Sequence, residues 1–322
     1  MLYWESHICL PLHPQASFAP LDRMRALGLN YVSINIGMDM NPLSQIMPII
    51  ASFRARLGAE PDKYRLVSSV QQIEDAKVAG VLAVGFDLEG AIPLMEQPAM
   101  VGLLSTLGVR QIHLAYNRNN SVADGCHDES RGLTPLGHRI VRAINEAGVI
   151  MDCSHTGRRC SLDIMAASTK PVVFSHANPQ GMVDHGRNIT DEQIRACAAT
   201  GGVVGISGVS AFLGVDTPRA ADIARHAAYV ANLVGAQHVG IGMDNSFPED
   251  HLDETPPGGM DMDYWWPKSA GYDRAIMTMN YVPVEDWAEL PAALAAEGFG
   301  AEEVAGVMGG NMARVARETW GG

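Results

Sequence analysis

Residues 149–155 read VIMDCSH and residues 171–177 read PVVFSHA, two short apolar runs that each contain a histidine near the end. The same design recurs in three other stretches: LYWESHICL at 2–10, AVGFDLEG at 83–90 and HVGIGMD at 238–244. Short apolar runs without strict alternation are typical of parallel strands, which are buried on both faces. The runs therefore predict strands of a parallel sheet that draws on most of the chain.

Each of these five runs carries, at or near its carboxyl end, a group that binds a metal or moves a proton. The five groups are His7, Glu89, His155, His176 and Asp244. The carboxyl ends of parallel strands meet at one edge of a sheet, and barrel enzymes keep their chemistry there. One such strand end means little, but five predict a single site assembled from distant parts of the sequence.

Three more apolar runs bring the predicted strands to eight: YVSINIG at 31–37, QIHLAYN at 111–117 and GVVGIS at 202–207. Helix signals lie between the runs. Thr134 reads as an N-cap and Pro135 as the first helical residue, where a missing N–H costs nothing. Thr190 and Gln193 read as a capping box that begins another helix.

Eight strands that alternate with helices favour a (β/α)8 TIM barrel, formed as one domain by residues 1–322. A doubly wound open sheet is the alternative, but only a closed barrel brings the first and last strands side by side. The stretch 38–82 is longer than one crossover needs and predicts an extra helix. Residues 245–275 read as a long loop after the last strand, either a lid or a surface excursion or subunit contact. The tail from Glu285 reads as helical and is expected to pack under the barrel.

Composition disfavours several classes of function. The net charge of −13 would repel nucleic acid and anionic membranes. No apolar stretch approaches the ~20 residues of a membrane span, and the first residues do not read as a signal peptide. The five cysteines form no paired framework, which predicts a reducing compartment, the cytoplasm.

The joint pattern of ligand-type residues predicts a metal site, although each residue alone has a structural explanation as a polar strand end, helix start or turn. Zinc binds imidazole, carboxylate and thiolate groups, and two ions about 3.5–4 Å apart can share a carboxylate and hold a hydroxide. Glu89, His155, His176 and His7 supply most of such a centre. Asp244 is suited to proton transfer between water and a leaving amine.

Asp87 and Asp152 lie within strands and are predicted to be hydrogen-bonding groups. The other histidines, which include His113, His127 and His185, have no convincing strand-end context.

These residues resemble the membrane (renal) dipeptidases, zinc metallopeptidases of the amidohydrolase superfamily. The resemblance covers nearly the whole chain and rests on DCSH, FSHAN and RNITDEQ in this order and spacing, with MGGNMARV in the tail. It implies a (β/α)8 barrel with a binuclear zinc site, and the family often forms dimers. By position, Glu89 would bridge two ions, His155 and His176 would complete one, and His7 would bind the other.

The resemblance also assigns substrate contacts and shows two departures. Asp244 would exchange protons near the substrate amine, and Arg187 in HGRN would bind the substrate carboxylate through its bidentate fork. The family's first strand carries His-x-Asp, where this chain has Cys9 in third place; Cys9 is either a thiolate ligand or a small buried residue. Tyr116 stands where well-studied members carry a histidine near the scissile carbonyl, and its hydroxyl is able to stabilise an oxyanion.

The sequence therefore predicts a metal-dependent hydrolase that cleaves dipeptides or dipeptide-like small molecules through a metal-bridging hydroxide. Two alternatives stay open: hydrolysis of a non-peptide amide such as an N-acyl amino acid or a lactam, and a metal-depleted barrel that binds an amino-acid derivative without turnover. The metal, predicted as zinc, is two ions per chain, or one if Cys9 is not a ligand. Zinc is not distinguished from manganese or cobalt.

Overall fold

The strands of the protein form a mainly parallel system. The computed structural model describes residues 1–249, 252, 261–272 and 279–320. In this part of the chain the strands are β1 (Trp4–Cys9), β2 (Tyr31–Met38), β3 (Tyr64–Leu66), β4 (Leu82–Glu89), β5 (Val109–His113), β6 (Ile150–Asp152), β7 (Val172–Val173), β8 (Val204–Ile206), β9 (Val239–Ile241) and β10 (Asn245–Ser246). They alternate with helices, which gives an α/β fold.

A curled parallel sheet runs in the order β10, β1, β2, β4, β5, β6, β7, with β3 paired to β4. Strands β8 and β9 form a second parallel pair. A bridge between Phe174 and Val204 connects the β7 segment to β8. At the other side, Glu5 of β1 accepts hydrogen bonds from the backbone N of His7 (3.1 Å) and of Met243 (3.0 Å), which follows β9. The fully buried Glu5 therefore connects the β9 segment to β1.

Helices cover the sheet. The α-helices of the described residues are α1 (Ala19–Ala26), α2 (Leu43–Ala59), α3 (Val70–Val78), α4 (Ala99–Thr106), α5 (Pro135–Glu146), α6 (Arg158–Ala167), α7 (Asp191–Ala199), α8 (Ser210–Leu213), α9 (Ala220–Val234), α10 (Met262–Trp265), α11 (Leu290–Ala296), α12 (Ala301–Ala305) and α13 (Asn311–Trp320). Phe53 of α2 packs on Phe86 of β4, an example of how apolar helix faces meet the sheet in the core. In this part of the chain no helix has the length and apolarity that crossing a membrane requires.

All eight predicted strands are confirmed, six of them with shorter bounds, and the end of the run 111–117 was placed wrongly. The run 111–117 ends its strand at His113 because the following residues turn away from β4. The backbone N of Tyr116 donates to Asp39, and Asn117 takes a left-handed φ of 58°. The extra helix predicted in 38–82 is α2, but the short strand Tyr64–Leu66 was not predicted.

The predicted helix starts are confirmed in detail. Thr134 Oγ1 accepts from Gly137 N at 3.0 Å at the start of α5. Thr190 and Gln193 make both bonds of the capping box at the start of α7. The tail is helical as predicted, and its Trp320 packs on Trp4 and Tyr31 at the amino ends of β1 and β2. The tail therefore lies at the end of the sheet opposite the predicted site.

Candidate metal centre

Six predicted residues come together at the carboxyl edge of the sheet. Their potential ligand atoms form three overlapping groups, with the atoms of each group within 4.8 Å of one another. The groups are His7, Cys9 and Glu89; Glu89, His155 and His176; and His7, His176 and Asp244. Glu89 and the three histidines come from four strand ends or the loops that follow them, so the fold brings together residues far apart in the sequence.

Glu89, the last residue of β4, is the centre of the cluster. Its Oε2 accepts a hydrogen bond from Asn35 of β2, whereas its Oε1 is buried and has no hydrogen-bond donor. Three imidazole Nε2 atoms surround Oε1, at 3.0 Å for His155, 3.4 Å for His176 and 3.7 Å for His7. Burial raises the pKa of Glu89 to about 7. A carboxylate oxygen that is desolvated in this way requires a positive partner if it is to stay ionised.

His155 and His176 turn the same ring nitrogen toward Glu89. Their Nε2 atoms are 2.9 Å apart. The Nδ1 of His176 lies 2.7 Å from Ser175 Oγ, and the Nδ1 of His155 lies 2.7 Å from Asn117 Oδ1. The amide oxygen can only accept, so Nδ1 of His155 carries the proton and its Nε2 presents a lone pair. Burial, with nearby cations, lowers the pKa of both imidazoles well below the usual value, so both rings are neutral.

His7 and Cys9 lie on the same face of β1, as strand alternation predicts. Cys9 Sγ is 3.4 Å from His7 Nε2. The other ring nitrogen of His7 contacts Asp87 Oδ1 at 3.0 Å, and Asp87 Oδ2 accepts from Ser33 Oγ at 2.6 Å. Burial opposes protonation of His7, but the carboxylates of Asp87 and Glu89 raise its pKa well above the usual value. Burial raises the pKa of Cys9 to about 12, so without an ion its thiol keeps its proton.

Asp244 completes the cluster from the segment between β9 and β10. Its Oδ1 is 3.7 Å from His7 Nε2, and its side chain is 18% exposed at the mouth of the cavity. Burial raises its pKa despite the nearby His7 and Arg187. The backbone of Asp244 has a φ of 60°, which is a strained conformation for a residue with a side chain.

The donor set fits a divalent cation. The Nε2 atoms of two neutral imidazoles lie 2.9 Å apart and both face the unpartnered Oε1 of Glu89, so that an ion in this place would meet all three atoms. The unpartnered Oε1 of Glu89 and the thiol of Cys9 border the same space. Imidazole, carboxylate and thiol groups are the ligands that zinc prefers. The orientation of His7 by Asp87 also matches the carboxylate–histidine pairs that support metal ligands.

A cavity with an apolar wall opens above the cluster. Cys9, Glu89, His155, Tyr116 and Asp244 line its polar side. The apolar wall includes Leu10, Leu12, Met38, Val209, Phe212, Phe247, Trp266 and Tyr281. The ring of Tyr116 stacks on His155 with a centroid distance of 4.3 Å. The long loop reaches the cavity through Trp266, whereas 250–251, 253–260 and 273–275 of the predicted lid lie outside the described residues.

Arg187 is buried, 2% exposed, and lies behind His155. Its Nη2 donates to the backbone O of His176 at 3.0 Å, and its Nε lies 3.1 Å from His155 Nδ1. It lines a second cavity, together with Cys126 and Arg158, that shares only His155 with the first. Arg187 is therefore an interior residue rather than a surface one.

Sequence reasoning missed His113, which belongs to the centre's surroundings. His113 pairs in register with Glu89 on one side and with Asp152 on the other. Its Nε2 is 2.6 Å from Asp152 Oδ2, and its Nδ1 is 3.8 Å from Glu89 Oε1. The signal was present, because His113 ends β5; the longer predicted strand concealed it. Asp87 and Asp152 are hydrogen-bonding partners of histidines, as predicted.

The chain is similar to known proteins in sequence and in fold. The family model of the membrane dipeptidases, peptidase family M19, matches residues 27–256. An uncharacterized dipeptidase of Schizosaccharomyces pombe is 30% identical over 238 residues, which are 72% of this chain and 52% of that protein. Dipeptidase tcpJ of Claviceps purpurea is 28% identical over 71% of this chain and 49% of its own length. The chain thus spans about half the length of these two relatives.

Solved structures share the fold over the whole chain. An amidohydrolase from Pseudomonas aeruginosa superposes with a TM-score of 0.86 at 26% identity, covering 100% of this chain and 97% of that one. A metallo peptidase from Rhodobacter sphaeroides, liganded with a phosphinate mimic of the dipeptide L-Ala-D-Ala, superposes with a TM-score of 0.76 at 18% identity, covering 99% of both chains. The matched family model, together with these similarities, shows that the chain belongs to the membrane dipeptidase family, peptidase family M19.

Proposed function

We propose that the protein is a metal-dependent dipeptidase that hydrolyses the amide bond of dipeptides or dipeptide-like small molecules. The observation that carries the proposal is the convergence of three imidazole nitrogens on the buried, unpartnered Oε1 of Glu89, beside the carboxylate of Asp244. Membership of the M19 family supports it. The dipeptide mimic bound by the Rhodobacter sphaeroides protein supports a substrate of that size.

Two zinc ions per chain would fit the ligand groups. Glu89 would bridge them, His155 and His176 would hold one, and His7 with Cys9 would hold the other. When bound, the ions would activate a water molecule and polarise the substrate carbonyl. The carboxylate of Asp87 would keep Nε2 of His7 directed at the centre.

Three residues of the chain would act on the substrate. Asp244 would accept a proton from the attacking water and return it to the leaving amine. Tyr116 would donate a hydrogen bond to the oxygen that gains charge; burial raises its pKa well above the usual value, so the hydroxyl keeps its proton. Arg187 would bind the substrate carboxylate from behind His155. Its Nη2 donates to the backbone O of His176, so Nη1 is the atom to test.

The proposed architecture is a closed (β/α)8 barrel in a single domain, residues 1–322. The bridge from β7 to β8 and the contacts of β1 with Met243 and β10 support closure. The loop with Trp265 and Trp266 would cover the substrate. Five free thiols support the cytoplasm as the compartment, and a homodimer stays a prediction.

The test is a substrate panel on the zinc-loaded full chain: L,L- and L,D-dipeptides, N-acyl amino acids and lactams. We expect hydrolysis of dipeptides, and a loss of about 10²–10⁴ in kcat for Asp244→Asn at unchanged zinc content. Turnover of N-acyl amino acids or lactams alone would favour the non-peptide amide alternative. Binding of dipeptides with no turnover at full zinc occupancy would favour the binding protein. Full activity of Asp244→Asn would refute its proton-transfer role.

A further inference from the structure

We propose that Cys9 makes the first-strand half of the centre a thiolate site that selects soft divalent ions, so that the two halves differ in metal preference. This inference rests on the proposed binuclear centre. The half with His7, Cys9 and Glu89 offers nitrogen, sulfur and oxygen, whereas the half with Glu89, His155 and His176 offers two nitrogens and one oxygen. Thiolate favours zinc, cadmium and cobalt over manganese and magnesium, which prefer oxygen.

The position of Cys9 supports a ligand role. Its Sγ lies 3.4 Å from His7 Nε2, and strand alternation directs residues 7 and 9 to the same face. The nearby Oε1 of Glu89 is buried and has no hydrogen-bond donor, and it lies 3.7 Å from the same His7 nitrogen. Sulfur, nitrogen and oxygen therefore face one space, and three protein ligands with an open position are typical of catalytic zinc.

Asp244 offers a competing arrangement that excludes sulfur. His7, His176 and Asp244 form a third group of the same size, with His7 Nε2 3.7 Å from Asp244 Oδ1. An ion held there would have only nitrogen and oxygen ligands. The two arrangements differ in an observable way, because only the first forms a metal–sulfur bond. In forming it, the Cys9 S–H bond breaks, the sulfur keeps the electron pair for the metal, and the proton leaves to solvent.

The experiment strips the full-length protein with a chelator and titrates it with Co²⁺, without substrate. We expect a thiolate-to-cobalt charge-transfer band in the near ultraviolet that grows with one of two bound equivalents. Cys9→Ser and Cys9→Asp should lose the band. Cys126→Ser is the matched control and should keep it, because Cys126 is equally half-buried but its Sγ contacts Asn117 Oδ1. Cobalt bound at the second half reports that each variant is folded.

A second arm measures selectivity through equilibrium dialysis with Zn²⁺ and Mn²⁺. Cys9→Asp preserves the charge of the bound ligand and replaces a soft sulfur with a hard oxygen. We expect the wild type to bind two Zn²⁺ but one Mn²⁺, and Cys9→Asp to bind two of either, with zinc-over-manganese selectivity at this half reduced on the order of tenfold or more.

Four results would each overturn the inference. They are two bound cobalt ions without the band, no bound cobalt, a band that persists in Cys9→Ser, and equal manganese binding by wild type and Cys9→Asp. Failure here is separable from failure of the proposed function. Dipeptide hydrolysis without the band would refute the thiolate site alone. The band without any dipeptide hydrolysis would refute the dipeptidase alone.

Discussion

Substitution of Asp87 tests how the protein orients a metal ligand from behind. Asp87 is fully buried, and its Oδ1 lies 3.0 Å from Nδ1 of the predicted ligand His7. Its second oxygen accepts from Ser33 Oγ at 2.6 Å. In Asp87→Asn the amide can keep both neighbours, since its oxygen accepts from His7 and the Ser33 hydroxyl can accept from its NH2. The variant therefore removes charge with little change of shape.

The magnitude follows from that difference. Charge-assisted hydrogen bonds are roughly twice as strong as neutral ones, and partners of metal ligands contribute about 10–100-fold in metal affinity. We expect Asp87→Asn, which keeps a neutral bond, to weaken one zinc ion by about 10-fold, or ~1.4 kcal/mol. Asp87→Ala, which removes the bond, should weaken it by about 100-fold, or ~2.7 kcal/mol. The second ion should keep its affinity, because its histidines are held by Ser175 and Asn117.

Zinc affinity can be measured by competition with chromophoric chelators on the full chain. Asp152→Asn is the matched control, because it also changes a fully buried carboxylate that contacts a histidine, here His113. His113 is not a predicted ligand, and its Nδ1 lies 3.8 Å from Glu89 Oε1. Asp152→Asn should reduce stability more than zinc affinity, because the lone His113 charge stays buried. Unchanged zinc affinity in Asp87→Ala, or equal weakening of both ions, would refute the orientation argument.

Three further variants or treatments test other parts of the molecule. Zinc at 100 times its dissociation constant should stabilise the chelator-stripped protein by about 2.7 kcal/mol per site, as an increase in the calorimetric unfolding temperature; no increase would mean that the site is not preformed for an ion. Tyr116→Phe should lower kcat for the best dipeptide by about 10²–10³-fold at unchanged zinc content, and unchanged kcat would exclude its hydroxyl from the reaction. Phe53→Ala, at a fully buried position remote from the centre, should cost about 3–5 kcal/mol in urea unfolding, and a loss below about 1 kcal/mol would contradict its place in the core.

The sequence predicted the sheet well because apolar runs record burial directly. Runs such as 31–37 and 83–90 became strands of nearly the predicted length. The strand Tyr64–Leu66 was missed because three residues, one buried and two half-buried, are too few to carry a periodic signal. Glu5 escaped for another reason. Burial raises the pKa of this carboxyl group to about 8. Glu5 accepts from the backbone N of Met243, a partner 238 residues away, which no local pattern reveals.

The candidate site shows where strand alternation stops being a guide. Alternation along β6 would direct Asp152 and residue 155 to opposite faces, since they are three positions apart. Yet Asp152 bonds His113 within the sheet, and His155 turns its Nε2 to within 3.0 Å of Glu89.

The reason is that His155 lies beyond the strand with a φ of 65°, and Asn117, whose side chain contacts His155, has a φ of 58°. Asp244 repeats the device with a φ of 60°. Each left-handed residue costs about 1–3 kcal/mol, and the surrounding contacts must offset that cost. For His155 they include its carbonyl, which accepts from Cys126 N at 2.9 Å, and its bond to Asn117. The strained turns let the strand ends direct ligands to one point, and a pattern of residue types does not encode that direction.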